Sequence, residues 1–212
     1  VTPSLFLITD PRWPLPRVEE VIVTAGAALP PGSLGVQLRD KAASAIELAR
    51  AAERLRASAR RVSARFVVNA PDTSTVRMAR EAGADGVHVP CTSAAIAEAR
   101  DLFGADAWIS TPAHAGVDVV TAEAAGATAV LVSPIFATPG KGPPRGVEAI
   151  RDAREGSRIV VLALGGVDAT NARACAEAGA HGVAVVRALL DAPDVAALAR
   201  ALHAPFRAAG VV

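Results

Sequence analysis

The feature that most restricts the fold is a beat of about 25 residues: an apolar, β-branched run, then a helical stretch, eight times over. The runs are Leu5–Asp10, Gly35–Asp40, Arg65–Asn69, Gly86–Pro90, Ala107–Ser110, Ala129–Phe136, Ile159–Leu164 and Gly182–Val186. Helical periodicity fills the gaps, near Arg17–Leu29, Ser44–Arg60, Thr75–Glu81, Ser93–Leu102, Val117–Ala125, Val147–Arg154, Ala169–Ala178 and Pro193–Ala209. Pro193 suits a first helical position, whereas Pro205 is expected to kink or end the last helix early. One helix-end phrase recurs as Glu81-Ala82-Gly83-Ala84, Glu123-Ala124-Ala125-Gly126-Ala127 and Glu177-Ala178-Gly179-Ala180. In each, glycine can take the left-handed conformation that stops a helix before the chain turns into the next strand. Eight strand–helix units without a break in composition predict a single-domain α/β fold, a (β/α)8 TIM barrel over residues 1–212. An open doubly wound sheet is the other arrangement of such units, and the count of eight and the short loops speak against it.

Composition agrees. Hydrophobic residues make up 51% of the chain but aromatics only 3%, so the core must be Val, Leu, Ile and Ala. That mix suits parallel strands covered by alanine-rich helices. Charge is near balance, with 22 Lys plus Arg against 21 Asp plus Glu, and no basic stripe interleaves with aromatics, so nucleic acid is not an expected partner. No apolar run is long enough to span a bilayer, and residues 1–10 lack a signal peptide's basic start and long apolar middle. Cys91 and Cys175 make neither a disulfide framework nor a metal knuckle. The expectation is a reduced, cytoplasmic protein without membrane contact; association into a homo-oligomer is left open.

In βα barrels the loops after the strands converge at one end, and chemistry sits there. The richest such loop follows the sixth run and carries Thr138, Lys141 and Arg145 among glycines and prolines. The seventh run ends in Gly165-Gly166 and the eighth in Val186-Arg187, the usual phosphate cradle of this barrel. A tight turn alone would also account for the glycine pair, and Arg187 could point outward. Alternation along the second run puts Gln37, Arg39 and Lys41 on one face, where three polar groups belong in the barrel interior or its mouth. Arg39, Lys41 and Lys141 would then converge on an anion, unless Lys41 pairs with an acid on the rim. Asn69 ends the third run, where ordinary turn chemistry also favours asparagine. His114, after the fifth run, is placed to move protons near neutral pH, although a lone loop histidine is more often surface. His88 reads as a satisfied interior residue and Cys91 as packing, while His181, before a strand, and His203, in the last helix, are not placed for chemistry.

With these residues assembled, the chain resembles the thiamin phosphate synthase and thiazole tautomerase superfamily over nearly its whole length. The resemblance is carried by Leu7-Ile8-Thr9-Asp10, Val36-Gln37-Leu38-Arg39-Asp40-Lys41, Val67-Val68-Asn69, Ala84-Asp85-Gly86-Val87-His88 and Pro112-Ala113-His114. Ser133-Pro134-Ile135-Phe136-Ala137-Thr138-Pro139-Gly140-Lys141 and Ala163-Leu164-Gly165-Gly166-Val167 complete it. It implies a (β/α)8 fold and a site for a small-molecule thiazole phosphate. The synthase couples that phosphate to a pyrimidine methyl diphosphate, with Mg2+, and its diphosphate ligands match Gln37, Arg39, Lys41, Asn69, Thr138 and Lys141. Its two metal-binding acids are not matched: Ala70 stands at one position and Pro90-Cys91-Thr92-Ser93 replaces the segment holding the other. Pro112 likewise replaces a diphosphate-binding serine. Asp72 is the nearby acid that could take a lost ligand's place.

The tautomerase branch also lacks those acids, needs no metal, and aligns its proton-transfer histidine with His114. The expectation is therefore a thiazole tautomerase without a cofactor, aromatising a carboxythiazole phosphate. Gly165, Gly166, Val186 and Arg187 would hold the phosphate, Arg39 and Lys41 would face the carboxylate, and His114 would move the ring proton. The alternatives are a thiamin phosphate synthase, which would require Mg2+, and a phosphate-binding barrel that turns over neither substrate.

Overall fold

The computed structural model describes residues 1–114 and 116–207. Strands β1 (Leu5–Ile8), β2 (Leu34–Leu38), β3 (Arg65–Asn69), β4 (Gly86–His88), β5 (Trp108–Ala113), β6 (Ala129–Val132), β7 (Val160–Leu164) and β8 (Gly182–Val185) form one closed parallel barrel in chain order. Closure sets Leu5 opposite Val183 and Leu7 opposite Val185. The helices are α1 (Leu15–Ala27), α2 (Ala45–Arg61), α3 (Thr73–Glu81), α4 (Ser93–Phe103), α5 (Gly116–Ala124), α6 (Glu148–Arg154), α7 (Ala172–Glu177), α8 (Arg187–Leu190) and α9 (Val195–Arg207). None of them is long and apolar enough to cross a membrane.

Local rules explain the boundaries. Gly83, Gly126 and Gly179 have φ of +71°, +85° and +96°, and in each case the next residue donates to the carbonyl five positions back. This is the Schellman closure that the repeated phrase predicts. Ser44 and Glu47 form a reciprocal capping box on α2, while Asp72 and Thr92 cap α3 and α4. Several expected boundaries are corrected. β6 stops at Val132 rather than Phe136, because Pro134 has no N–H to continue the ladder. α7 begins at Ala172 rather than Ala169, after an Asp168–Asn171 turn in which the Asp168 side chain accepts from Thr170 N–H. The short α8 is additional to the eight helices that periodicity predicts. α9 runs past Pro205 to Arg207 instead of ending at the proline, and the last residues expected in it, 208–209, lie outside the described residues.

Two separate apolar clusters hold the barrel. The larger lies between strands and helices and includes Leu7, Val36, Phe66, Val87, Ile109, Val161 and Val183. The smaller fills the barrel: Phe6, Ile8, Val67, Trp108, Ala129, Leu131, Leu162 and Ala184. Alternation along each strand sends neighbouring residues to opposite clusters. Phe6 stacks on Trp108 with centroids 5.3 Å apart, and the Arg65 guanidinium lies 4.8 Å from the Trp108 ring centroid. Burial holds the Arg65 pKa below its ordinary value. Gly35 makes room for this stack, since a Cβ there would overlap the Phe6 ring.

His181 and His203, not placed for chemistry by their positions in sequence, make hydrogen bonds within the fold. His181 Nδ1 accepts from the Val161 N–H at 2.9 Å, and His203 Nδ1 lies 2.5 Å from Ser4 Oγ. Burial first, then Arg154 and Arg207 respectively, lower their pKa values.

Gly35→Ala should force the boxed-in Phe6 ring aside and destabilise the protein by about 1–3 kcal/mol; thermal unfolding should show a melting point several degrees lower. The two histidines give a pH dependence of definite sign. Their folded pKa values lie below the unfolded value of about 6.5, so the unfolded chain takes up protons first on acidification. This stability is full above pH ~6.5 and is lost as pH falls through the folded values. The urea midpoint should therefore drop between pH ~7 and ~5.5, and less steeply in His181→Asn, whose amide oxygen can still accept from Val161. An equal slope in that variant would show that His181 does not contribute.

Candidate active site

Parallel closure puts all eight strand C-termini on one rim, so the residues singled out above come together there. Gln37 is buried on the inner side of β2, Arg39 is half-buried just past its end, and Lys41 is exposed at the rim. The Arg39 N–H donates to Thr9 Oγ1 at 2.9 Å, tying the ends of β1 and β2 together. Arg12 donates from Nε and Nη2 to the two carboxylate oxygens of Asp10, at 3.0 and 2.8 Å. Arg12 first, with a smaller contribution from Arg39, holds the Asp10 carboxyl below the usual range. Among the described residues Lys41 and Lys141 form no ion pair, so the alternative of an acid partner for Lys41 on the rim is not realised.

The mouth has a polar half and an apolar half. In the registers of β3–β5, Asn69 stands opposite His88 and His88 opposite Ser110, one row on the inner face. His88 Nδ1 is 3.0 Å from Ser110 Oγ. Burial, and then the charge of Arg39, lower the His88 pKa to about 4, so the ring is neutral at physiological pH. The inner apolar cluster reaches the mouth through Leu131, Leu164 and Ala184 of β6–β8 and through Val186 just past β8. The sequence reading of His88 as satisfied holds for Nδ1. Ser110 joins the site without having been singled out by sequence, although alternation from Trp108 marks it as inward, whereas Thr9 shares the outward register of Leu7 and serves to tie β1 to β2.

The loop after β6 is strapped to β7. Ile135 N–H donates to Leu164 O and Phe136 N–H to Gly165 O, both at 2.9 Å. Thr138 Oγ1 donates to Phe136 O, Arg145 reaches the Ala113 carbonyl at 3.4 Å, and Lys141 is left exposed at the tip. Gly165 and Gly166 have φ of +99° and +64°. A Cβ at Gly165 would come 2.9 Å from Pro134 Cα, and one at Gly166 2.6 Å from Ala137 O. The pair therefore admits the neighbouring loop as well as forming a tight turn. The helix start expected at Ala169, just beyond Gly166, is displaced to Ala172, whereas Val186 is the N-cap of α8, which Arg187 begins. Arg187 is half-buried.

His114 is exposed just past β5, with its backbone N–H donating to Asp118 Oδ2 at 2.6 Å. Cys91 is a packing residue: its Sγ lies 3.5 Å from the Asp118 carbonyl, and burial pushes its pKa up.

The donor set does not fit the magnesium of the synthase. Mg2+ demands hard oxygen ligands in near-octahedral order, commonly one or two carboxylates beside the substrate phosphates. Ala70 is fully buried in the outer apolar cluster, and Thr92 in the Pro90–Ser93 segment caps α4. Asp72 does not stand in: as N-cap of α3 its Oδ1 accepts from Thr75 N–H, Thr75 Oγ1 and Ser74 Oγ at 2.6–3.0 Å. Among the described residues no group of three or more His, Cys, Asp and Glu could hold a metal ion.

The family described as thiamine monophosphate synthase matches residues 5–189. A thiamine-phosphate synthase of Thioalkalivibrio sulfidiphilus is 38% identical over 194 residues, 89% of each chain. One of Gloeobacter violaceus is also 38% identical, over 192 residues, and here the chain spans about half of the relative's length, 53%. Among solved structures, thiamine phosphate pyrophosphorylase from Pyrococcus furiosus superposes with a TM-score of 0.81 at 27% identity, covering 98% of this chain and 96% of that one. The chain thus belongs to the thiamine monophosphate synthase family, as the residues along its strand ends imply.

Proposed function

We propose that the mouth binds a thiazole phosphate and that the chain is a thiamine-phosphate synthase, joining this phosphate to a pyrimidine methyl diphosphate with release of pyrophosphate. On sequence alone this is the alternative to the tautomerase. The observation that carries it is the likeness, along nearly the whole chain, to relatives that bear the synthase name. The cation set adds to it: Arg39, Lys41 and Lys141 stand on one rim without ion-pair partners among the described residues.

In this reading Gln37, Arg39, Lys41, Asn69, Thr138 and Lys141 hold the diphosphate. The loop after β7 and the start of α8, with Gly165, Gly166, Val186 and Arg187, hold the thiazole phosphate through backbone N–H groups. Charge developing on the departing pyrophosphate then falls to the three side-chain cations, Arg39 half-buried and Lys41 and Lys141 exposed on the rim. No step is assigned to a metal.

A second reading, the thiazole tautomerase, is favoured by one specific observation: carboxylates are missing at both Ala70 and Pro90–Ser93. That reaction needs an anchored substrate and one proton-moving group, which would be His114.

Incubation with both substrates, with added Mg2+ and separately with a chelator, should yield thiamin phosphate and pyrophosphate. Lys141→Ala should lower that turnover by on the order of 10². Aromatisation of the carboxythiazole phosphate without any coupling would instead establish the tautomerase. In that case His114→Ala should reduce turnover by ~10²–10⁴ with binding little changed. Binding of thiazole phosphate with neither reaction would leave the chain a phosphate-binding barrel.

A further inference from the structure

Of the four histidines, His181 and His203 serve the fold and His114 lies exposed beyond β5, whereas His88 stands inside the mouth with one nitrogen unaccounted for. Its Nδ1 faces Ser110 Oγ. Its Nε2 makes no hydrogen bond among the described residues, yet it is not sealed off. Among the described residues the buried side-chain nitrogens and oxygens without a partner are Trp108 Nε1, Thr111 Oγ1 and His203 Nε2; His88 Nε2 is not one of them, and the residue is only partly buried. A histidine needed only to join β4 to β5 requires Nδ1 alone. Here the ring is fixed by Ser110, flanked by Asn69 in the same row, near the Arg39 charge, and in a mouth that also carries the apolar Leu131, Leu164, Ala184 and Val186.

We propose that Nε2 of His88 is a substrate-contacting, specificity-determining group, hydrogen-bonding the nitrogen heteroaromatic ring of the anionic substrate while Arg39 and its neighbours take the phosphates. The inference rests on the functional reading above and adds to it the group that recognises the ring. A neutral imidazole suits this role, because it offers a ring partner without adding a further cation beside Arg39, and so leaves the ring distinguishable from a bare anion. The apolar side chains of the mouth would cover the ring's face. An anion lacking a ring would gain nothing from either feature.

Two amide substitutions separate the two nitrogens. The amide of asparagine reaches about as far as Nδ1, and that of glutamine about as far as Nε2. His88→Asn keeps the Ser110 contact and loses the reach; His88→Gln keeps the reach. Calorimetric titration of each protein with pyrimidine methyl diphosphate and with inorganic pyrophosphate compares the same anion with and without a ring. His88→Asn should bind the pyrimidine diphosphate about tenfold more weakly, with pyrophosphate changed less than ~2-fold, and His88→Gln should return to within ~3-fold of wild type. In wild-type protein, the His88 Nε2 resonance should shift on adding the pyrimidine diphosphate and not on adding pyrophosphate, a measurement that no folding defect can blur. Equal affinity of His88→Asn and wild type for the ring-bearing ligand, equal losses for both ligands, or an unmoved Nε2 resonance would each overturn the inference. Wild-type protein that binds pyrimidine diphosphate no better than pyrophosphate would overturn the functional reading instead, before any variant is made.

Discussion

Closing eight parallel strands into a ring pairs every strand on both edges, and it cannot be done without sending all the C-terminal ends to the same side. Everything that bears on chemistry here follows from that closure. Leu5 against Val183 and Leu7 against Val185 complete the ring, and once they do, residues far apart in the chain share one rim. Lys41 and Lys141 come to one end of the barrel because of where β2 and β6 stop. The Schellman turns at Gly83, Gly126 and Gly179 serve the same end, since each delivers the chain back to the N-terminal side in time for the next strand.

The barrel is legible in the sequence because its signals are local. Period-2 runs, helical periodicity and the repeated glycine phrase each act within a few residues of one another. For that reason the run Arg65–Asn69 and the strand β3 coincide to the residue. Sequence and structure part where a proline breaks the ladder or where distant chain segments decide. The sixth apolar run outlasts β6 because Pro134 interrupts the ladder, although Ile135 and Phe136 resume bonding to the end of β7. The glycine pair is expected to expose N–H groups, and the neighbouring loop claims part of the room it leaves. The Asn69–His88–Ser110 row is invisible from any single strand, because it exists only through the registers of three.

The site also shows how a family resemblance and local chemistry can pull apart. Relatives at 38% identity carry the synthase name, while the positions that would seat a divalent ion hold a buried alanine and a segment without acids. Asp72 illustrates why a carboxylate's presence in the sequence is not enough. Its oxygen already serves the first turn of α3 with three hydrogen bonds, and drawing it toward a metal would leave that turn uncapped. What the mouth retains is positive side chains on long stems at the rim and one neutral imidazole held firmly within.

The division of the apolar residues into an inner plug and an outer sheath has a consequence for how such a protein can change over evolutionary time. Most of the buried hydrocarbon lies in the sheath, away from the mouth, and the plug is anchored low in the barrel by Trp108 and Phe6. Substitutions at exposed rim positions such as Lys41 and Lys141 therefore leave both reservoirs in place. Descendants of an ancestral barrel could exchange ligands, lose a metal or acquire a new reaction there while the scaffold beneath stayed the same.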